Sequence, residues 1–149
     1  MRILFICSNY GSYKDGIGAY TQNMVDEQKN NKNISEITVV SSDITNYSKI
    51  QRIFSLKMSA NFIKAAKKLL NNKIDIVNIE YPFTEWNCLI IFPYIFMKLV
   101  SMIKKTKISV SIHEYSRVNI LRKFIISFLV ILGDIVFVTD DEMMGKLKK

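Results

Sequence analysis

The opening stretch, Met1 to Val25, constrains the fold more than any other part of the chain: MRILFICSNYGSYKDGIGAYTQNMV. Arg2 leads into an unbroken apolar run, Ile3-Leu4-Phe5-Ile6-Cys7, too short for a typical helix and bounded by turn formers. Such a run predicts a strand buried on both faces, as in a parallel sheet. A polar loop with Gly11, Gly16 and Gly18 follows, and then Ile17, Tyr20, Met24 and Val25 recur at helical spacing. A strand that runs through a glycine loop into a helix N-terminus makes an anion site from backbone N–H groups and the helix dipole. The same glycines would serve equally to let the chain turn. On the loop alone the two readings stand level.

The rest of the chain repeats the alternation. Glu36 to Ser41 is a β-branched second strand, ended by Ser42-Asp43, and Asp43 to Ser55 reads as loop plus a short helix. Lys57 to Asn72 is an amphipathic helix, with Met58, Phe62, Ala66, Leu69 and Leu70 on one side and Lys57, Lys64 and Lys68 on the other. Ile74 to Ile79 is the third strand; it closes at Glu80-Tyr81-Pro82, because proline has no N–H for the ladder. Cys88 to Ile103 reads as a buried helix starting near Pro93, and Pro93 and Lys98 leave it short of the roughly 20 apolar residues that span a bilayer. Lys107 to Ile112 is the fourth strand and delivers His113 to Arg117 at its end. Asn119 to Leu132 is a further helix, stopped by Gly133, and Asp134 to Val138 is the fifth strand. Thr139, with Glu142 three residues later, has the form of a capping box.

Five strands alternating with helices predict one α/β domain, a Rossmann-like doubly wound parallel sheet over 1–149. Ligands of such sheets lie beyond the strand C-termini. The chain's single histidine, His113, is at one of those tips.

Composition narrows the partners. With 149 residues and 49% hydrophobic content the chain can build a real core and is not disordered. Cys7 and Cys88 lack metal-type spacing and suit reduced core residues of a cytoplasmic protein; no signal-peptide pattern precedes the first strand. The net charge is +8. No acid occurs from Lys49 to Lys73 or from Trp86 to His113, which suits an anionic partner. Each lysine singly is as well read as a solvated residue. No aromatic-basic RNA signature is present, so nucleic acid is not expected among the partners.

His113 is the best single candidate for chemistry, since its ordinary pKa lies near neutrality. A lone histidine also commonly packs or hydrogen-bonds. Glu80 and Glu114 are open to three readings: general bases, metal ligands or solvated carboxylates. No metal motif supports the second, and neither a metal nor a cofactor is expected. Gly11, Gly16 and Gly18 do not complete the dinucleotide fingerprint, because Thr21 follows Gly16-Ile17-Gly18-Ala19-Tyr20, although Asp43 lies after the second strand where a ribose-binding acid would be. A P-loop is excluded, since Gly-Lys-Ser/Thr is missing, and Ser8 lacks nucleophile-elbow surroundings.

Four stretches together resemble the N-terminal domain of retaining glycosyltransferases of the GT-B fold, family 4 in particular. Asp15-Gly16-Ile17-Gly18 stands where that family carries Gly-Gly-Ile/Val-Gly, with Asp15 in place of the first glycine. Asp75 to Pro82 resembles its third strand, Ser111 to Ser116 its Thr-Leu-His-Glu/Asp strand end, and Asp134 to Thr139 the strand leading to a Ser/Thr and helix. The resemblance implies roles. Gly16, Ile17 and Gly18 would approach the donor diphosphate, and His113 would be the active-site histidine. Glu80, Tyr81, Trp86, Glu114, Tyr115 and Arg117 would shape the acceptor side. Lys57, Lys64 and Lys68 would face an anionic membrane.

It further implies a nucleotide-sugar substrate, a saccharide or lipid-linked acceptor in surface polysaccharide synthesis, and a location at the inner face of the membrane. A second domain, carrying Glu-x7-Glu and most of the nucleotide site, is expected as a missing or separate C-terminal half, so this chain is expected to be inactive alone. The rival expectation is a stand-alone nucleotide-binding or regulatory module without transferase activity.

Overall fold

The computed structural model describes residues 1–11, 16–44, 53–55, 58–82, 91–113, 119–139 and 144–145, without the side chains of 42–44, 53–55 and 58–61. The elements in chain order are β1 (Arg2–Tyr10), α1 (Gly16–Lys29), β2 (Glu36–Ile44), β3 (Ile53–Ser55), α2 (Met58–Asn71), β4 (Ile76–Tyr81), α3 (Ile91–Lys104), β5 (Lys107–Ile112), α4 (Ile120–Leu132) and β6 (Ile135–Val138). They form one parallel sheet of order β3-β2-β1-β4-β5-β6. The Rossmann-like α/β architecture expected from the sequence is present, with six strands rather than five. The added one is β3, from the stretch read as loop and helix; it pairs Ile53 to Ser55 with Val39 to Ser41 at the sheet edge.

Alternation along each strand sorts side chains between two faces. Leu4 and Ile6, Val77 and Ile79, and Ile108 and Val110 face a large core closed by α2, α3 and α4. Ile3, Phe5 and Cys7 face a smaller one closed by Val25 of α1. Central strand β1 is therefore buried on both sides, as its apolar run requires.

The first strand outlasts that run. Ser8-Asn9-Tyr10 stays in the ladder because the Ser41 hydroxyl donates to the Ser8 carbonyl (2.8 Å) and accepts from the Tyr10 N–H (3.0 Å).

The two Asp-Ile-Val stretches share one structural task. Asp75 Oδ2 accepts from the Arg2 N–H (2.7 Å) and Asp134 Oδ2 from the Ile108 N–H (2.8 Å). Each carboxylate thus satisfies the amide that opens, or nearly opens, the neighbouring strand, and sets the parallel register at the sheet's N-terminal end.

Gly133 stops α4 as expected, with φ −72°. It is glycine because a Cβ there would lie 3.2 Å from the Leu129 carbonyl oxygen and 3.3 Å from Val110 Cγ2. α3 begins at Ile91, near Pro93 as expected, but the reading of a buried helix is corrected: only one side of it is buried. No described helix is long and apolar enough to cross a membrane.

Candidate active site

Two polar pairs interrupt the apolar strands at alternate positions: Asn78 and Glu80 on β4, Ser111 and His113 at the end of β5. Parallel pairing sets Glu80 opposite Ser111, and Asn78 opposite Ser109. All four polar side chains therefore lie on the α1 face of the sheet, towards its C-terminal edge.

They form a connected group. Ser111 Oγ donates to Asn78 Oδ1 (3.5 Å), and the Asn78 amide donates to Glu80 Oε1 in a very short contact. The other oxygen, Glu80 Oε2, is 2.7 Å from His113 Nε2. The Glu80 side chain is fully buried and that of His113 is 14% exposed. The backbone fixes the histidine as well: its N–H donates to the Tyr81 carbonyl (3.1 Å), and its carbonyl accepts from Thr139 Oγ1 (3.4 Å).

Tyr20, on the first turns of α1, stands edge-on to the imidazole with ring centroids 4.7 Å apart. Burial first, and then the negative charges of Glu80 and Glu27, push its phenol above the ordinary 10.0. It stays neutral beside the pair.

This arrangement can orient a base. With Glu80 Oε2 accepting the Nε2–H of the imidazole, Nδ1 is left as the basic nitrogen. The carboxylate is held by Asn78 and does not itself reach solvent. α1, whose Tyr20 touches the imidazole, opens with Gly16-Ile17-Gly18; its first-turn amides lack intrahelical acceptors and its first turn carries no acid. Gly11, at φ 73°, turns the chain out of β1, and its N–H donates to the Gly18 carbonyl (3.3 Å), which draws the loop's two ends together.

The residues expected at the site fare differently. His113 and Glu80 are brought together, and Gly16, Ile17 and Gly18 open α1 as expected. Among the described residues, a Cβ at Gly16 would meet nothing within 4 Å. Tyr81 is a correction. Its position next to Glu80 turns its side chain to the opposite face, where it is fully buried in the core under α2 and α3 and cannot shape an acceptor cleft.

Lys68 is a second correction. It does not project opposite the packed side of α2 but lies half-buried, donating to Thr38 Oγ1 (3.3 Å). Lys64 remains on the outer side, and Leu70 is exposed rather than packed. Lys57, Trp86, Glu114, Tyr115 and Arg117 lie outside the described residues, as do Asp15, Cys88 and the Asp140 to Glu142 part of the capping box. Thr139 itself donates to the Ile112 and His113 carbonyls.

Asn78, Ser111 and Tyr20 were not expected at the site. The first two had a legible signal, polar residues at period two in otherwise apolar strands. Tyr20 had none beyond its place one turn into the helix.

The chain is similar to an alpha-glucosyltransferase solved in complex with UDP and a 13-mer DNA containing a central A:G mismatch, with 22% identity and a TM-score of 0.63 over 95% of this chain. This is a glycosyltransferase-type fold. A structure of an alpha-glucosyltransferase with UDP and a 13-mer DNA containing a HMU base gives 20% identity and a TM-score of 0.59 over 93% of the chain. In both cases the chain spans 37% of the neighbour's length. No family model and no curated protein matches the sequence. The DNA in both neighbour complexes does not fit the expectation that set nucleic acid aside, and a missing RNA signature is no ground for that exclusion.

Proposed function

We propose that this chain is the acceptor-side, N-terminal domain of a retaining GT-B glycosyltransferase. The full enzyme would move a sugar from a nucleotide-sugar to a saccharide or lipid-linked acceptor in surface polysaccharide synthesis, at the inner face of the membrane. The observation that carries the reading is the Glu80–His113 pair: a buried carboxylate orienting an imidazole at the strand tips, beside the open turn of α1. His113 is the residue that meets the transferred sugar and acceptor, and Glu80 is a positioning residue behind it. The amides of Gly16, Ile17 and Gly18 face the donor diphosphate, where backbone N–H groups and the helix dipole stabilise negative charge on the leaving group.

A second domain supplies the rest of the nucleotide site and closes the cleft against water. The 37% coverage of the UDP-bound neighbours supports that division. A second reading of the acceptor, nucleic acid, is favoured by the DNA in both neighbour complexes and by the net charge of +8.

The test is transfer of labelled sugar by the chain together with the product encoded downstream of it, offered lipid-linked saccharide or duplex DNA. His113→Gln keeps an N–H for Glu80 and should lower turnover roughly 10²- to 10⁴-fold. Unchanged turnover would remove His113 from the chemistry. Robust turnover by the 149-residue chain alone would overturn the need for a second domain.

A further inference from the structure

The outer sides of α3 and α4 are apolar. α3 covers the sheet with Tyr94, Met97 and Val100, yet its opposite side shows Phe92 (67% exposed), Phe96 and Ile103 (76%). α4 covers the sheet with Ile125, Ile126 and Leu129 and shows Ile120 (86%), Phe124 and Ile131 (77%) outward. The helices lie side by side: the Tyr94 hydroxyl donates to the Leu129 carbonyl (3.1 Å), and its ring stands edge-on to Phe128. A helix on the solvent side of a sheet normally carries polar residues there, as α2 does with Lys64 and Lys67. Single exposed apolar residues need no explanation, but two adjoining helices of them do.

Extension of the sheet would not cover this surface. A doubly wound domain has three layers, and further strands and helices add beside β6 and α4, not outside the helix layer.

The charges select the occupant. Neither 91–113 nor 119–133 contains an acid. Lys104 and Lys105 are exposed at the end of α3, and Lys123 lies half-buried in the first turn of α4. Lys98 is taken up by Asp134 at 3.0 Å. Apolar side chains flanked by these cations, with the Asp134 carboxylate paired to Lys98, match an anionic bilayer surface.

We propose that the outer face of α3 and α4 seats the domain on an anionic lipid bilayer. The helices lie in the interface rather than span it, with 14 and 13 residues respectively. Membrane contact thereby moves from the α2 lysines to α3 and α4. Ile120 and Arg122 open α4 at the same end of the sheet as His113, so the seated domain holds its strand tips near the lipid headgroups. The proposal deepens the lipid-linked part of the functional reading, but vesicle binding is measured without transfer, so the two can fail separately.

The experiment is sedimentation of the chain with phosphatidylcholine vesicles, with and without phosphatidylglycerol. Binding should be roughly tenfold or more stronger with the anionic lipid. Replacing Phe96, Ile103, Ile120 and Phe124 by serine should lower it by roughly tenfold or more, with the far-ultraviolet circular dichroism unchanged. Lys104→Glu with Lys105→Glu tests the flanking cations without touching the apolar residues and should also weaken binding. Equal binding to both vesicle types, binding to neither, or retention by these variants would overturn the proposal. So would a concentration-dependent dimer abolished by the serine variant in place of vesicle binding.

Discussion

His113 Nε2 lies 2.7 Å from Glu80 Oε2, joining side chains 33 positions apart through the parallel register of β4 and β5. The pairing is unequal in what its loss leaves behind. His113→Ala strips a fully buried carboxylate of its charged or donating partner, and should cost about 3–5 kcal/mol of unfolding free energy. Glu80→Gln removes the charge but keeps a hydrogen-bonding group, and should cost about 1–2 kcal/mol. Urea denaturation of both variants checks the order. A loss below about 1 kcal/mol in His113→Ala would mean that the contact contributes little to the fold.

Asp134 should govern part of the acid limb of stability. Burial raises its carboxyl pKa, but the Ile108 N–H and Lys98, with Lys107 adding to the field, more than offset this and hold it below the ordinary 3.8. Its folded value is depressed, so its contribution is complete above the unfolded value. It shrinks as pH falls below 3.8 and is gone beneath the folded value. Melting temperature against pH should therefore fall less steeply in Asp134→Asn than in the wild type across that window. Identical slopes would remove Asp134 from the account.

On the alkaline side the signs reverse. Burial, with Asp134 adding to it, raises the Tyr94 phenol above the ordinary 10.0, and Tyr20 is raised by burial, Glu80 and Glu27. The neutral phenols are favoured in the fold, so their stabilisation is full below 10.0 and lost as pH rises through the folded values. Tyr94→Phe should flatten that limb and cost about 1 kcal/mol at neutral pH through the lost bond to the Leu129 carbonyl. Tyr20→Phe should flatten it less and keep the edge contact with His113. Alkaline melting curves of the two variants decide it.

Two glycines of the first loop should behave oppositely. Gly11, with φ 73°, is in the left-handed region, so Gly11→Ala should destabilise by about 1 kcal/mol or more. Gly16 opens α1 with nothing among the described residues within 4 Å of the Cβ position, so Gly16→Ala should leave stability unchanged or slightly raised. Loss of donor affinity in Gly16→Ala, read as a raised KM in the reconstituted enzyme, would then report the diphosphate contact and not folding.

Much of this was legible along the chain. The run Ile3 to Cys7 demands burial on both faces and found it in the centre of the sheet. The alternation of Ile, Val and Thr in β2, β4 and β5 placed those strands, and the resemblance drew attention to the tip where His113 meets Glu80. Local sequence failed where the decisive partner is distant. The extension of β1 to Tyr10 needs the Ser41 hydroxyl, β3 needs the edge of β2, and Gly133 is required by Val110 and not by its own φ. The resemblance puts Tyr81 on the acceptor side, and period-two alternation sends it to the core.

The sequence by itself determined the alternation of strand and helix, the parallel sheet and the end of it where polar residues gather, because hydrophobic period and turn chemistry are local. Only the tertiary structure decided that Glu80 is buried against His113, since that rests on the register between two strands joined by a long crossover. It likewise decided that α3, which reads as a buried helix, and α4 carry an apolar side the domain leaves uncovered. Hydropathy states how much apolar surface a helix has, and packing alone states which side of it finds a partner. The glycine-opened helix α1 meets the Glu80–His113 pair through Tyr20 near its start, and that adjacency belongs to the fold.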